Sequence, residues 1–254
     1  MSSKLVHLDL RRGTLISRPN RFVFEGIING RRQLWHCPVT GRVGNVSNFD
    51  GIPCLLTPAL PTARRSTAGT VEAIHLTERT GWIGINQTRI NGWMEEFFRK
   101  NALPDLVNTK GCIIRREVMA GGSRLDLVIE NGGSRTFVEF KTPTHDLLLT
   151  DASRFTTPSS GAVFFERLIR HYESLCCLAL AGNRTILALC FMYDAPPFTP
   201  PPMDKWNEPT MRAAKYAQEC GVENWQINLR ISPKSLRIVQ YIPVSRQYEL
   251  SLLQ

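Results

Sequence analysis

The sequence predicts an α/β protein with an all-β N-terminal part: a small barrel over residues 1–82, then a mixed sheet flanked by helices over residues 83–254. Three observations carry this expectation. The first third holds short β-branched and aromatic runs broken by turn residues, with no convincing helical period. From about residue 83 the apolar spacing becomes that of helices alternating with strands, in the order αβββαβαββ. Charge divides at the same place: residues 1–82 carry eleven lysines and arginines against five acids, so +6 of the net +9 lies there.

In the first part, "RPNRFVFEGIINGRRQLWHC" has strand-forming residues on both sides of Asn29-Gly30. That dipeptide suits a tight hairpin because both residues tolerate positive φ. Turn signals follow at "FDGIP" and "TPALPTARRSTAGT", with strand-like "TVEAIHL" and "GWIGI" after them. Several short strands without a helix suggest a closed barrel. Trp35 reads as core and His36 as a turn residue, with stacking on bases as the alternative for both.

In the second part, "NGWMEEFFRKN" sets Trp93, Met94, Phe97 and Phe98 at helical spacing, with Asn91 a plausible N-cap. Strands "GCIIRREVM", "SRLDLVIE" and "RTFVEFK" come next. The helical stretch "GAVFFERLIRHYESLCCLALAG" ends at Gly182, and "RTILALCFMY" reads as a buried strand. A last helix, "EPTMRAAKYAQECG", leads into "NWQINLRI" and "LRIVQYIPV".

A basic chain of 254 residues with 43% apolar residues can bury a real core and favours an anionic partner. Nucleic acid is the commonest such partner, and no membrane span is expected, since no apolar run reaches roughly 18–20 residues. Seven cysteines without a CxxC pair, mostly in apolar runs, read as reduced thiols of the cytoplasm or an organellar matrix. Five scattered histidines without HxxxH spacing lend zinc little support. The N-terminus lacks the apolar core of a signal peptide.

The stretch "SRLDLVIENGGSRTFVEFK" carries the chemistry. Leu125, Leu127 and Ile129 share one strand face by alternation, which turns Asp126 to the other; Glu139 and Lys141, two apart, project together. A reversal at Asn131-Gly132-Gly133 pairs Asp126 with a residue near 138 or 139. Two carboxylates so placed can hold Mg²⁺ or Mn²⁺, hard cations that take oxygen ligands. Lys141 can then orient or deprotonate water and stabilise charge on a phosphate. Glu117 on the preceding strand is a third candidate ligand, and Glu95 and Glu96 reach the site from the helix or face solvent. The competing interpretation is an ordinary charged hairpin. Arg18, Arg21, Arg42 and Arg124 are candidate nucleic-acid contacts, the alternative being solvated arginines on a barrel.

Along nearly its whole length the chain resembles the sugar fermentation stimulation protein (SfsA) family. The resemblance rests on "RPNRFVFEG", "HCPVTGR", "GINQTRINGWMEE", "GGSRLDLVIE", "VEFKTPT", a weaker "SGAVFFERL", and "CGVE". It implies an OB-type barrel joined to a PD-(D/E)xK endonuclease-like domain, with DNA binding, a proposed nuclease activity, and Asp126, Glu139 and Lys141 as the catalytic trio. Asn86 and Asn91 match family positions at the junction of the two parts. The chain departs from the family at Val39, where an asparagine is usual, and before Gly161, where an arginine is usual. The alternatives to a Mg²⁺-dependent nuclease are a non-catalytic DNA- or RNA-binding protein and a structural subunit of a ribonucleoprotein assembly.

Overall fold

The computed structural model describes residues 4–39, 43, 46, 48–60, 66–78, 81–143, 161–200, 203, 205 and 207–244, without the side chains of 161–165. Arg42 and the position before Gly161 lie outside them. The chain opens with strand β1 (Leu5–His7), then runs through β2 (Arg11–Asn20), β3 (Val23–Ile28), β4 (Arg31–His36), β5 (Pro53–Pro58), β6 (Gly69–His75) and β7 (Trp82–Gly84). Strands β2 to β7 form one sheet in the order β4-β3-β2-β5-β6-β7. A parallel contact of His36 with Thr70 joins β4 to β6 and closes five strands into the expected barrel.

Local chemistry accounts for much of this barrel. Asn29 and Gly30 turn the β3–β4 hairpin at φ values of 48° and 74°, the left-handed pair that matches strand twist. Leu15, Phe24, Trp35, Cys37, Leu56 and Val71 fill the interior. Trp35 is thus core as expected, whereas His36 is the last residue of β4 rather than a turn residue. Gly69 is needed where strand meets strand: a Cβ there would stand 2.1 Å from the Thr57 carbonyl oxygen and 2.7 Å from the Trp35 ring.

A 3-10 turn (Gln87–Arg89) leads into α1 (Ile90–Arg99). There follow β8 (Ile113–Ala120), β9 (Ser123–Asn131), β10 (Ser134–Lys141), α2 (Gly161–Leu180), β11 (Arg184–Phe191), α3 (Glu208–Glu219), β12 (Glu223–Ile231) and β13 (Ser235–Pro243). This is the αβββαβαββ order. The strands form a seven-stranded mixed sheet, β1-β13-β12-β11-β10-β9-β8, parallel only where β11 meets β10 and β12. On one face α1 buries Trp93, Met94, Phe97 and Phe98 with Leu127, Val138 and Ile227. On the other, α2 and α3 cover Leu125, Val128 and Phe137 with Tyr172, Leu175 and Ala217.

Four details depart from the sequence expectations. Residues 5–7 do not join the barrel: β1 pairs with β13 at the edge of the second sheet, burying Val6 in its core. The division at residue 82 also falls inside β7, whose Gly84 N–H donates to the Met192 carbonyl, and Phe191 and Tyr193 pack into the barrel core. Arg89, not Asn91, occupies the N-cap of α1, because the 3-10 turn runs straight into the helix. Leu125 packs under α2 while Leu127 and Ile129 pack under α1, so alternation breaks at Asp126. Opposite that break, Glu117 takes φ +53°, a strained backbone for a non-glycine residue.

Candidate active site

The β9–β10 ladder pairs Ser134 with Asn131 and proceeds to Val138 with Leu127. Its regular pairing stops one step short of Asp126 and Glu139, beyond which β10 is paired with β11 alone. At this parting of strands the Phe140 N–H donates to Asp126 Oδ2 at 2.8 Å, and Asn91 Nδ2, from the first turn of α1, donates to Oδ1 at 2.7 Å. Asp126 is therefore fixed at both oxygens. The Gln87 side-chain amide donates to the Thr142 carbonyl and anchors the end of β10 to the 3-10 turn.

Glu139 points to the α2 face and is only 2% exposed. Its Oε1 accepts from Lys141 Nζ at 2.5 Å and contacts His171 Nδ1 on α2; Lys141 Nζ lies 3.2 Å from the same ring nitrogen. Burial alone would push the Glu139 carboxyl up, but the His171 hydrogen bond, with the charge and hydrogen bond of Lys141, leaves it below the usual range. Among the described residues Asp126 has no such cation bonded to it. Burial first, and then the Glu139 charge, raise it to about 6 despite the Phe140, Lys141 and Asn91 contributions. Cys190 on β11, fully buried, is pushed up by burial and by the Asp126 charge.

Whether a divalent cation fits can be judged from the donors themselves. Glu139 Oε2 is buried and has no partner among the described residues, an arrangement that costs free energy unless something positive meets it. Asp126, lifted to about 6 by burial first and then by the Glu139 charge, favours a cation in the same way. No group of three or more His, Cys, Asp or Glu gathers among the described residues. A two-carboxylate set suits Mg²⁺, which usually keeps several waters and takes one or two protein carboxylates.

The structure brings Asp126, Glu139 and Lys141 together and leaves Glu117 apart. Although Glu117 lies opposite Asp126 in the β8–β9 register, its half-exposed carboxylate sits 3.9 Å from Arg116 and 3.7 Å from Arg124 at the surface. Glu95 pairs with Arg99 and Arg116, and Glu96 with Lys100, so neither enters the site. Arg124 is exposed beside Glu117. Arg18 serves the barrel: its guanidinium donates to the Arg21 and Val39 carbonyls and lies over the Phe24 ring. Arg21 is exposed and stacks on the exposed Phe22 at 4.6 Å, a basic and aromatic tip. Val39 is buried in the barrel core, so an apolar residue is satisfied there.

Two site residues escaped the sequence. His171 is one of five scattered histidines, and only the packing of α2 on β10 places it against Glu139. Asn91 carried a signal, its match to a junction position, but its partner Asp126 lies 35 residues away. Asn86 does bind across the junction, donating to the buried Glu72 of β6.

Comparisons with known proteins bear on the fold and the family. The solved structure of Pyrococcus furiosus SfsA in complex with Ca²⁺ superposes with a TM-score of 0.72 at 26% identity, covering 94% of this chain and 97% of that one. A sugar fermentation stimulation protein homolog of Methylorubrum populi is 30% identical over 238 residues, 91% of each chain. That of Teredinibacter turnerae is 27% identical over 234 residues, 91% of this chain and 95% of its own. The family model described as the sugar fermentation stimulation protein RE domain matches residues 88–235, the span that holds Asp126, Glu139 and Lys141. With that match over more than half its length, the chain belongs to the sugar fermentation stimulation protein (SfsA) family.

Proposed function

We propose that this protein binds nucleic acid and hydrolyses its phosphodiester bonds with Mg²⁺ or Mn²⁺. The observation that carries the reading is the meeting of Asp126, Glu139 and Lys141 where β9 and β10 part, with Glu139 Oε2 buried and unpartnered among the described residues. Asp126 and Glu139 would hold the ion. Such an ion, when bound, supplies an acidified water and neutralises phosphate charge.

The chain's own residues do the rest. Asn91 and the Phe140 N–H keep Asp126 from turning, and His171 holds Glu139 from behind. Lys141, 15% exposed and tethered to Glu139, keeps its ammonium where it can orient a water and meet charge that develops on the phosphate. The basic barrel, with Arg21 over Phe22 at its tip, supplies salt-dependent attraction for the strand. One observation favours a binding-only role instead: Lys141 and His171 both engage the same oxygen of Glu139, a contact that serves the fold as well as catalysis.

Cleavage of labelled single- and double-stranded DNA and RNA decides between the two. The nuclease reading expects cleavage with Mg²⁺ or Mn²⁺, none with chelator, and binding without turnover in Ca²⁺. Lys141→Ala should abolish cleavage and keep binding, since its effect falls on the transition state. Absence of metal-dependent cleavage on every substrate, or its persistence in Lys141→Ala, overturns the nuclease reading.

A further inference from the structure

An open cleft of about 420 Å³ lies at the start of α1, bounded by β1 and by Arg116 of β8. Its wall includes His7, Thr88, Arg89, Gly92, Trp93, Glu96 and Arg116. We infer that this cleft is a phosphate site, holding a nucleotide phosphate of the strand beside the carboxylate pair; the assignment to a nucleotide rests on the nuclease reading.

Four features point to an anion. Two arginines face the cleft with 43% and 39% of their side chains exposed. Both are held by carboxylates at distances too long for their best hydrogen bonds: Arg89 lies 3.5 Å from Glu72, and Arg116 lies 3.3 Å from Glu95 and 3.9 Å from Glu117. The one acid in the wall, Glu96, is already paired with Lys100 at 2.6 Å. Helix α1 starts here with no side-chain cap and no acid in its first turn; the 3-10 turn takes the Ile90 N–H onto the Gln87 carbonyl, but no side chain of α1 counters the positive end of the helix. Independently, the indole Nε1 of Trp93, a residue 96% buried in the cleft wall, has no partner among the described residues. That nitrogen is itself buried, so a ligand in the cleft meets it only if the wall shifts slightly, and its resonance reports such a shift.

Position supports a role in the same reaction. Gly92 follows Asn91, which holds Asp126, and Arg116 precedes Glu117, which lies opposite Asp126. The cleft is thus joined to Asp126 through neighbouring residues of α1 and β8. Gly92 keeps the entrance clear: a Cβ there meets only Arg116 Nη1, at 3.8 Å.

The test follows the Trp93 indole N–H resonance, assigned with Trp93→Phe, in metal-free protein that cannot cleave. Inorganic phosphate and oligonucleotides with a 5′-phosphate or a 5′-hydroxyl are titrated separately, with fluorescence anisotropy reporting total oligonucleotide binding. All three ligands should shift the resonance if the phosphate is internal, and only the first two if it is a strand end. Arg116→Gln should weaken the response about tenfold, as for loss of one charged hydrogen bond. Gly92→Glu, which places a carboxylate in the entrance without a backbone clash, should remove the response while circular dichroism and Tm stay native. Arg89 is left intact because it faces the buried Glu72. Oligonucleotides that bind by anisotropy but leave the Trp93 resonance still would overturn the inference and spare the nuclease reading. A shift with inorganic phosphate, but no oligonucleotide binding at all, would overturn the nucleic-acid reading and with it the nucleotide assignment. No shift with any ligand overturns the site.

Discussion

Replacing Asp126 with asparagine should make the metal-free protein more stable at pH 8, and the gain should vanish in acid. In the fold, burial and the Glu139 charge raise the Asp126 carboxyl from 3.8 to about 6. By linkage that rise is about 3 kcal/mol of penalty on the ionised form. The sign follows from the direction. A raised folded-state pKa favours folding below the unfolded value, and the advantage is lost as pH climbs through the folded value. Between about 4 and 6 the native chain therefore gives up stability that Asp126→Asn, which does not titrate, retains. The amide also keeps both contacts: it accepts from the Phe140 N–H, and Asn91 can turn its oxygen to receive the new amide N–H. Allowing for a weaker bond to Phe140, the variant should gain about 2 kcal/mol at pH 8, or roughly 4–8 °C in Tm for a chain of this size. Urea unfolding at pH 8, 6 and 4.5 in chelator measures it. Mg²⁺ at a hundred times its Kd should restore about 2.7 kcal/mol to the native chain and little to the variant. A variant no more stable at pH 8, or equally ahead at pH 4.5, would refute the account of Asp126.

Other outcomes can be measured directly. Gly69→Ala should lose at least about 3 kcal/mol in urea unfolding, because its Cβ must displace the Thr57 backbone or the Trp35 ring. Asn86→Ala strips a hydrogen bond from the buried Glu72 and should cost about 1–3 kcal/mol by the same assay. Two arginines should separate by role: Arg21→Ala should reduce the slope of log affinity against log salt by about one with stability unchanged. Arg18→Ala should lower Tm as well, since it holds the Arg21 and Val39 carbonyls.

Much of the fold was legible because its signals are local. The Asn29-Gly30 hairpin needs only two residues that accept positive φ. The helix of Trp93, Met94, Phe97 and Phe98 shows its buried face in its spacing, and all four are buried. Gly182 and Gly221 follow α2 and α3 with φ of 82° and 92°, where a left-handed residue ends a helix. The site was half legible for the same reason. Glu139 and Lys141 share a face by strand period, and a short turn sets Asp126 beside them.

Where reasoning by period failed, a distant contact had overruled it. Alternation put Leu125 with Leu127, but the strand breaks at Asp126 opposite the left-handed Glu117, and Leu125 turns to α2. Glu117 had the charge of a ligand, yet Arg116 and Arg124 draw it to the surface.

The sequence by itself determined the order of elements, the basic barrel, and the trio of Asp126, Glu139 and Lys141, since each depends on residue types and spacings within one hairpin, helix or strand. Only the tertiary structure decided that β1 completes the far sheet edge 230 residues away, that His171 backs Glu139, and that Asn91 clamps Asp126. The physical reason is range. Side-chain direction within an element follows from a backbone period of two or 3.6 residues, whereas the choice of partner across elements is made by the packing of the whole core.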